Sequence, residues 1–507
     1  MCGIVAGYGA PDVAAGERML ARIAHRGPDG RGAVSVGGEA WLGHCRLAIV
    51  DVERGEQPLG TAGGGLWMVG NGEIYNHDDV RRELGERRFA TGSDNEVALH
   101  LLDAHGPERL GRLEGMYAFV AAGRDGRFVA ARDPVGIKPL YWARRGGRVR
   151  FASEMAAFER AWLPDVRPFP PGCFWTPDSG ITRFAHAMTP STRAARAGDE
   201  DREPPEGVLA ETRRVLVEAI ESQMMGDVPV GVFLSGGLDS SLVAAVAARW
   251  AAARGLRLQT FAVGLAGSPD LEAARAAAAA LDTVHHERVY TAAEAASVLG
   301  EVVRSIESFE PSLVRSAVPN YLLSGLAAEH VKVVLTGEGA DEIFAGYDYL
   351  RRYGDDAELH DELVRMVEGL HNLNLQRCDR VTMAHGLEAR VPFLDRRVIA
   401  HALSLPAAWK LSGPGRPEKE LLRRAFEGWL PDVLLWRTKA EFGDGSGASD
   451  ALRERVAATV TEADLARERR WVDPPLRTRE ELAYYRIFRE HLPGVRAEHA
   501  VGRFAIA

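Results

Sequence analysis

Short runs of alternating apolar and polar residues, separated by glycine-rich turns, fill the chain from Met1 to about Phe184. Clear examples are GLWMVGNGEIYN, GMYAFVAAGRDGRFVAARD and GRVRFASE. Alternation with a period of two is typical of strands that bury one face. The first part of the chain is therefore predicted to be a β-rich unit that two helical stretches interrupt.

The pattern breaks at a polar segment, AHAMTPSTRAARAGDEDREPPEG, which occupies residues 185–207 and contains three prolines. This segment has no apolar period, and its composition is typical of a linker. We therefore predict a first domain at residues 1–186, a linker at residues 187–206 and a second domain at residues 207–507.

Alanine- and leucine-rich helical stretches alternate with buried β-runs after this linker. The order along the chain is VPVGVFLSG, LVAAVAARWAAA, LQTFAVGL, a helix around Leu271 to Leu281, and VKVVLTG. Such alternation indicates βαβ units and a parallel sheet. From about Tyr347 onward the pattern is mostly helical, so the sequence predicts an α/β multidomain protein with a helical extension.

Composition narrows the class of protein. A chain of 507 residues exceeds one ordinary core and favours two or three domains. The net charge of -9 opposes a large contact with phosphate backbones, so nucleic acid is not an expected partner. We find no apolar run near the ~18 residues that span a bilayer. The N-terminus also lacks the basic and apolar segments of a signal peptide, so a cytoplasmic protein is expected.

The four cysteines are scattered along the chain without a CxxC pair. Neither a disulfide framework nor a zinc site is therefore indicated, and reduced thiols are expected. These cysteines are Cys2, Cys45, Cys173 and Cys378.

The position of Cys2 directly behind the initiator methionine raises a chemical question. Methionine aminopeptidases remove the first residue when the second is small, which would leave Cys2 with a free α-amine beside its thiol. The amine titrates near pH 8 and the thiol near pH 8.5, so the amine can accept the thiol proton. Cys2 would then combine nucleophile and base, although its position alone favours an ordinary small residue of an N-terminal strand.

The stretch GVFLSGGLDSSLVAAV predicts an anion site. A β-run ends at Leu234, a Ser-Gly-Gly turn follows, and a helix begins near Asp239, so backbone amides and a helix N-terminus face one point. No GK[ST] follows, so this is not a Walker loop. LTGEGADEIFAGY, residues 335–347, ends another predicted parallel strand, which brings its carboxylates to the same edge. Asp239 and Asp341 are thereby placed to hold Mg²⁺ across phosphates.

Six motifs occur in the order found in glutamine-hydrolysing asparagine synthetases, and the resemblance spans nearly the whole chain. The motifs are SGGLDSS, FAVGLAGSPD, TVHHE, LTGEGADEIFAGY, CDRVTMAHGLEARVPFLD and WRTKAEFGDGSG. The resemblance implies a doubly wound parallel-sheet domain of the ATP-pyrophosphatase type. It also implies an ATP-binding set made of Leu234, Ser235, Gly236, Gly237, Asp239, Ser240, Val263, Thr336 and Gly337.

Three further residues carry the implied ligase chemistry. Lys439 would stabilise the departing pyrophosphate, because adenylation builds negative charge between the α- and β-phosphates. Lys419, in RPEKELLRRAF, is the alternative lysine for this duty. Glu338, in the GEG motif, would accept a proton from incoming ammonia.

Five motifs of the first part resemble the N-terminal-nucleophile glutamine amidotransferase domain, which is an αββα sandwich. They are MCGI, HRGPDG (25–30), RLAIVD (46–51), NGEIYNH (71–77) and TGSDNE (91–96). The resemblance implies that Cys2 attacks glutamine and that Asn71 and Gly72 form the oxyanion hole. The implied glutamine-binding residues are Arg46, Ile49, Glu73 and Asp94.

Ammonia released at Cys2 would be lost in bulk water, so the resemblance also implies an internal passage between two sites. Arg26, the segment RDPVGIKPLY (132–141), Ser153 and Glu154 are the candidates for lining it or for the interface. Whether the passage is preformed, and whether the chain forms a homodimer, stay open at the level of sequence.

The acceptor acid should be bound by ESFEPSLVRSAVPNYLL, residues 307–323. The matching stretch of the family is about YDVTTIRASTPMYL, so Arg315 is retained, whereas Ser312 and Leu313 replace two threonines. A lost hydroxyl leaves a polar group of the substrate unpaired at about 1 to 3 kcal/mol. Aspartate, giving asparagine, is the leading acceptor. The alternatives are another carboxylate in secondary metabolism, or a glutaminase or scaffold without ligase activity.

Overall fold

The computed structural model describes residues 2–188, 204–353, 356–411, 417–437, 452–453, 456 and 458–504. All statements on structure concern these ranges. The chain forms an antiparallel two-sheet unit followed by a parallel-sheet unit with a helical extension.

The first unit is built from two six-stranded antiparallel sheets. One sheet has the order β10-β8-β9-β1-β3-β2 and the other has the order β12-β11-β7-β6-β5-β4. The strands are β1 (Gly3–Tyr8), β2 (Gly30–Val36), β3 (Ala40–Arg46), β4 (Leu59–Gly60), β5 (Leu66–Ile74), β6 (Gly115–Gly123), β7 (Phe128–Arg132), β8 (Tyr141–Arg145), β9 (Arg148–Ala152), β10 (Arg167–Pro168), β11 (Cys173–Thr176) and β12 (Gly180–Arg183).

The two sheets pack face to face through alternating apolar side chains. Ile4 and Leu42 of the first sheet share this core with Val69, Val120 and Phe128 of the second sheet. The sequence predicts two helical stretches here, but the structure contains three α-helices: α1 (Val13–Arg22), which packs on β1 and β3, α2 (His77–Leu84) and α3 (Glu96–His105), which covers the second sheet. This arrangement is the expected αββα sandwich.

The second unit contains one parallel sheet of order β15-β14-β13-β16-β17. Because the strand order reverses between β13 and β16, the crevice at their carboxyl ends is the switch point where such sheets bind ligands. The strands are β13 (Val230–Phe233), β14 (Gln259–Gly264), β15 (Val284–Val289), β16 (Val333–Leu335) and β17 (Glu388–Arg390). The expected doubly wound sheet is confirmed.

Helices flank this sheet and form the extension beyond it. The predicted helix around Leu271 is α6, and α5 is buried along most of its length because its sequence is apolar nearly all round. The helices are α4 (Glu206–Ser222), α5 (Leu238–Ala252), α6 (Pro269–Ala280), α7 (Ala292–Ser297), α8 (Leu299–Ile306), α9 (Pro311–Ala328), α10 (Ala340–Ile343), α11 (Asp356–Gly369), α12 (Asn374–Met383), α13 (Arg396–Ser404), α14 (Ala407–Lys410), α15 (Glu420–Ala425), α16 (Asp432–Leu435), α17 (Glu462–Glu468), α18 (Arg479–His491) and α19 (Ala497–Ala500).

A buried network of ion pairs joins the two units. The guanidinium of Arg26 donates to both carboxylate oxygens of Asp379 at 2.9 and 3.1 Å and to Glu154 at 2.8 Å. Arg380, the next residue of α12, pairs with Glu154 at 2.8 Å and with Glu307 at 3.1 Å. Charges buried in this way need close partners, so the network fixes how the units contact each other.

All four cysteines are free and buried. The described ranges contain no helix that is both long and apolar enough to cross a membrane.

Candidate active sites

Cys2 lies in the first unit, directly before β1, and is 9% exposed. Its backbone N donates to Asn71 Oδ1 at 2.9 Å, and its carbonyl accepts from Arg26 Nε at 3.1 Å. The Sγ atom lies 3.9 Å from the carbonyl oxygen of Leu47. Burial raises the pKa of the Cys2 thiol, so the thiol needs a base before it can attack a substrate.

Asn71 and Gly72 lie side by side on β5, next to Cys2. The Asn71 side chain is fully buried, and its Nδ2 has no hydrogen-bond partner among the residues that the structure describes. Gly72 has φ of 137°, and a Cβ there would lie 1.9 Å from the Met116 carbonyl oxygen, so no other residue fits. A buried amide that lacks an acceptor is suited to receive a transient oxyanion.

The predicted glutamine-binding charges surround this point. Arg46 ends β3, and its guanidinium donates to the carbonyls of Asp51 at 2.7 Å and Val52 at 2.9 Å. These contacts fix the side chain, yet no carboxylate of the described residues pairs with it. Arg46 therefore keeps a charge for the carboxylate of a ligand.

Two buried carboxyl groups, Glu73 and Asp94, are the acidic members of this predicted set. Asp94 accepts from the Ile74 amide at 2.6 Å. Burial raises the pKa of Glu73 well above its usual range, and the nearby Glu388 and Asp94 add to the effect. A ligand ammonium would relieve this repulsion. Ile49 is also buried, and a Cβ on Gly226 would lie 3.2 Å from its Cγ2.

In the second unit, the predicted phosphate loop connects β13 to α5 at the switch point. Ser240 Oγ lies 3.3 Å from the Ser235 amide and 3.1 Å from Ser235 Oγ, which in turn accepts from the Gly237 amide at 3.3 Å. Gly236 has φ of 73°, and a Cβ there would lie 2.5 Å from Ala273. The loop is thus fixed by hydroxyls and requires glycine.

Lys419 lies between the two predicted metal-binding carboxylates. Its Nζ is 2.6 and 2.7 Å from the oxygens of Asp239 and 2.7 Å from Asp341. Burial opposes the charged ammonium, but the two carboxylates outweigh burial and raise the pKa of Lys419. The side chain is 1% exposed. Lys439, the residue predicted for pyrophosphate, lies outside the described residues.

Asp239 and Asp341 fit a magnesium site that substrate completes. Mg²⁺ is usually held by one or two carboxylates together with phosphate oxygens and water. Within the described ranges no group of three or more His, Cys, Asp or Glu side chains is arranged to hold a metal ion by itself. The two carboxylates lie together at the phosphate loop, close enough to share the cation of Lys419.

A cavity of about 820 Å³ opens at this crevice. Gly236 does not line the cavity; with its φ of 73° it forms the turn of the phosphate loop. The predicted residues that line the cavity are Leu234, Ser235, Gly237, Asp239, Ser240, Val263, Ser312, Arg315, Thr336, Gly337, Glu338 and Asp341. One continuous space therefore joins the phosphate loop to the predicted acceptor helix α9.

Glu338 projects into this cavity and is paired with Arg377 of α12. Burial raises the pKa of Glu338, while the Arg377 guanidinium acts in the opposite direction. Arg377 also donates to Ser316 Oγ at 2.8 Å. The sequence offers no signal for Arg377, because the contact depends on the packing of α12 against α9.

Glu342, which directly follows Asp341, is a second carboxylate that the sequence reasoning missed. It accepts from the Tyr347 hydroxyl at 2.7 Å and from Asn374 Nδ2 at 2.9 Å. Burial, together with the charges of Glu338 and Asp341, raises the pKa of Glu342 to about 7. Its position in the ADEI stretch is the available sequence signal.

The acceptor wall differs from the expectation at one residue. One face of α9 lines the cavity with Ser312, Arg315, Ser316 and Asn320, whereas Leu313 is 1% exposed and belongs to the core. Leu313 does not line the cavity, because its register on the helix turns the side chain away. The replacement of a threonine by leucine therefore leaves the lining unchanged.

Arg315 has a partner that sequence reasoning missed. Its Nη1 donates to Glu480 of α18 at 2.7 Å, and its Nη2 donates to Ser312 Oγ at 3.3 Å. Glu480 is 165 positions away along the chain, so no local pattern could indicate it. The pair fixes the guanidinium at the cavity wall.

Two family models match the chain. The model described as asparagine synthase matches residues 211–357 and 351–503, and the model described as glutamine amidotransferase domain matches residues 1–167. A solved structure of glutamine phosphoribosylpyrophosphate amidotransferase from B. subtilis matches with a TM-score of 0.32 and 23% identity. The match covers 52% of this chain and 66% of that chain, and it adds nothing to this assignment.

Curated relatives match over nearly the whole chain. Asparagine synthetase [glutamine-hydrolyzing] of Asparagus officinalis is 38% identical, over 97% of this chain and 86% of the relative. Asparagine synthetase B [glutamine-hydrolyzing] of Escherichia coli is 39% identical, over 92% of this chain and 86% of the relative. The chain therefore belongs to the asparagine synthase family and carries a glutamine amidotransferase domain at residues 1–167.

Proposed function

We propose that the protein is an ATP-dependent ligase that hydrolyses glutamine at Cys2 and transfers the ammonia to an acyl-adenylate formed from aspartate. The products are asparagine, glutamate, AMP and pyrophosphate. The observation that carries the proposal is the cavity at the switch point, where Lys419, Asp239 and Asp341 meet beside the phosphate loop. The curated relatives are named for the same reaction.

The first reaction takes place at Cys2. With Met1 removed, the α-amine accepts the thiol proton, and Sγ attacks the carboxamide carbon of glutamine. Asn71 Nδ2 and the Gly72 amide stabilise the oxyanion, ammonia leaves, and water hydrolyses the thioester to glutamate. Arg46 holds the α-carboxylate of glutamine, Glu73 and Asp94 hold its α-ammonium, and Ile49 completes the wall.

The second reaction takes place in the cavity. A carboxylate oxygen of aspartate attacks the α-phosphorus of ATP, and pyrophosphate leaves. Lys419 offers an ammonium beside the phosphate loop, and Lys439 is proposed for the same duty. Arg437, two positions earlier in the chain, donates to the Gly236 carbonyl at 3.2 Å, which supports a place for this segment at the loop.

Asp239 and Asp341 would hold Mg²⁺, which would supply positive charge to neutralise the charge that develops during adenylation. The remaining ATP contacts are proposed for Leu234, Ser235, Gly237, Ser240, Val263, Thr336 and Gly337. Ammonia then attacks the acyl carbon, Glu338 takes up a proton, and AMP departs.

The acceptor is proposed to be held by Arg315 and Ser312. A guanidinium fixed at the wall suits a carboxylate, as aspartate binding requires. A different carboxylate acceptor is the second candidate. Ser316 and Asn320 line the same wall where the family stretch has alanine and methionine, so this wall carries extra polar groups. That difference favours testing acceptors that are longer or more polar than aspartate.

The proposal is tested by acceptor-dependent pyrophosphate release at fixed ATP, Mg²⁺ and glutamine. Aspartate, its homologues and other amino-acid carboxylates are compared, and products are identified by mass. Equal amounts of pyrophosphate and asparagine with aspartate support the leading function. Glutamine hydrolysis without any aspartate-dependent pyrophosphate would refute it and direct the search to the second candidate.

The predicted domain limits remain a proposal. They are supported by the end of β12 at Arg183, just before the predicted linker, and by the start of α4 at Glu206, the last residue of that linker. We further propose a cytoplasmic enzyme, and sedimentation of the purified protein tests whether it forms a homodimer.

A further inference from the structure

We propose that Arg390, which belongs to the parallel sheet of the ligase unit, is a positioning residue of the glutaminase site. Its guanidinium acts as the counter-ion of Glu73 and thereby sets the affinity of that carboxylate for the α-ammonium of glutamine. The inference rests on the proposed hydrolysis of glutamine at Cys2.

The two charged groups face each other across the boundary between the units. Arg390 ends β17 and is fully buried, and its Nη2 lies 3.8 Å from Glu73 Oε2. Neither of these atoms has a hydrogen-bond partner among the residues that the structure describes. The buried Tyr75 hydroxyl also has no hydrogen-bond partner among these described residues. Buried polar atoms are normally satisfied, so this cluster is suited to receive a polar group of a ligand or a water molecule.

The rest of the guanidinium is held rigidly. Arg390 Nε donates to Glu388 Oε1 at 2.7 Å, and Nη1 donates to the carbonyls of Gln223 and Met225, each at 2.6 Å. Three acceptors thus fix the plane of the group and leave Nη2 directed at Glu73. A side chain anchored in this way is pre-organised and pays little entropy to hold its partner.

The charge on Glu73 depends on this contact. Its ionised form is opposed by burial and by two carboxylates, Glu388 of β17 and Asp94 before α3. Arg390 is the described side chain that favours the ionised form. Without Arg390, Glu73 would take up a proton more readily and would bind an ammonium less well.

The backbone carbonyl of Arg390 contacts the predicted nucleotide site of the second unit. The Arg390 carbonyl accepts from the Thr336 amide at 3.0 Å and from Thr336 Oγ1 at 3.4 Å, and Thr336 lines the nucleotide cavity. A side-chain replacement leaves these backbone contacts in place. Ammonia-dependent synthesis can therefore serve as an internal control.

The test compares Arg390→Met and Arg390→Lys with the unaltered protein. We expect Arg390→Met to raise the KM for glutamine about tenfold while the glutaminase kcat changes less than about threefold, because Glu73 loses its counter-ion, takes up a proton more readily and holds the ammonium of glutamine less well. Arg390→Lys should restore most of the KM. Pyrophosphate release with ammonia in place of glutamine should persist in both variants.

An unchanged KM for glutamine in Arg390→Met overturns the inference, as does an equal loss of glutamine- and ammonia-dependent rates. Absence of glutaminase activity in the unaltered protein would instead refute the proposed function. Arg380→Met is the matched control, since Arg380 is also a buried interface arginine but pairs with Glu154 and Glu307. Its KM for glutamine should stay unchanged.

A double variant covers the case in which Arg390→Met fails to fold. Glu73→Gln combined with Arg390→Met removes both charges of this pair, so Glu73 is not left as a buried carboxylate without its counter-ion. If Arg390 acts through Glu73, its replacement should have little further effect once Glu73 is already glutamine. The double variant and Glu73→Gln should then have KM values for glutamine within about twofold of each other. A further rise of fivefold or more in the double variant would contradict the inference.

Discussion

The ammonium of Lys419 lies 2.6 and 2.7 Å from the two carboxylate oxygens of Asp239, although 180 positions separate these residues along the chain. Lys419 also has φ of 53°, in the left-handed region that non-glycine residues rarely adopt. A backbone in this region and a buried ion pair at the phosphate loop fit the role proposed for Lys419 in the release of pyrophosphate.

Replacement of this cation should slow the ligase reaction selectively. We expect Lys419→Met to lower acceptor-dependent pyrophosphate release by a factor of about 10² to 10³, the usual effect of removing one group that stabilises developing charge. Glutamine hydrolysis should continue, because Cys2 belongs to the other unit. Both rates are measured on the same preparation.

Lys410→Met is the matched control for that experiment. Lys410 is also a buried lysine, and its Nζ donates to the Ala402 carbonyl at 3.0 Å, away from the cavity lining. This variant should keep its pyrophosphate release per folded molecule. Equal losses in the two variants would mean that Lys419 has a structural role.

The phosphate loop is predictable from sequence because its chemistry depends on contiguous residues. Ser235, Gly236 and Gly237 follow a β-run and precede a helix, and the local pattern alone places backbone amides at one point. The parallel order of β13 and β16 then brings Asp341 to Asp239. Adjacent residues of a strand point to opposite faces, so the sequence predicts a structural role for His285 and His286 and no shared metal ion. In the structure they bond Thr260 and Gln259 of the adjacent strand.

Contacts between distant elements are what the sequence does not show. Arg377 reaches Glu338, and Glu480 reaches Arg315, because helices of the extension pack on α9. The side of α9 to which Leu313 belongs is likewise decided by tertiary packing. A substitution in a motif therefore changes the cavity only when its helical register directs the side chain there.

Asn71→Asp tests the oxyanion hole. Aspartate keeps an oxygen that accepts from the Cys2 N, but it replaces the unpartnered Nδ2 donor with a second acceptor. We expect the glutaminase kcat to fall by a factor of about 10² to 10³ with a small change in KM, because the donor acts mainly in the transition state. Steady-state glutamate release measures both constants.

Asn76→Asp provides the comparison for this variant. Asn76 belongs to the same motif, but its Nδ2 already donates to the Arg112 carbonyl at 2.9 Å. Its glutaminase kcat should stay within about twofold, as for a surface change. A comparable loss at Asn76 would mean that the motif is merely sensitive to charge.

The buried pair of Arg26 and Asp379 should contribute strongly to the contact between the units. Arg26→Leu leaves two carboxylates buried without that guanidinium, and such losses cost about 3 to 5 kcal/mol. The urea midpoint of unfolding should fall accordingly. Arg18→Leu is the control, since Arg18 pairs with Glu159 at an exposed position and should change stability by less than about 1 kcal/mol.

Removal of Asp379 as well should reverse part of the loss. Arg26→Leu combined with Asp379→Leu also removes the carboxylate that Arg26→Leu alone leaves buried without its partner. The double variant should therefore be more stable than Arg26→Leu alone. Equal or lower stability in the double variant would show that the pair does not act as a unit.

Glu96, the first residue of α3, should make the stability of the protein depend on pH. Its carboxylate accepts from the amides of Ala90 and Thr91, each at 2.8 Å, and lies 3.3 Å from His100 Nε2. Burial would raise the pKa of Glu96, but these contacts outweigh burial and lower its pKa from 4.5 to about 2. The folded state therefore favours the ionised form.

The sign of the effect follows from this depressed pKa. The stabilisation is fully present above pH 4.5, the ordinary value, and is lost as the pH falls through about 2. Glu96→Gln should lower the free energy of unfolding at pH 7 by about 3 kcal/mol. The difference between the two proteins should then shrink as the pH falls below 4.5, as measured by urea unfolding at several pH values. Glu86→Gln, at an exposed position, is the control, and its free energy of unfolding should differ little from that of the unaltered protein at every pH. If the difference between Glu96→Gln and the unaltered protein does not change with pH, the charge of Glu96 does not contribute to stability.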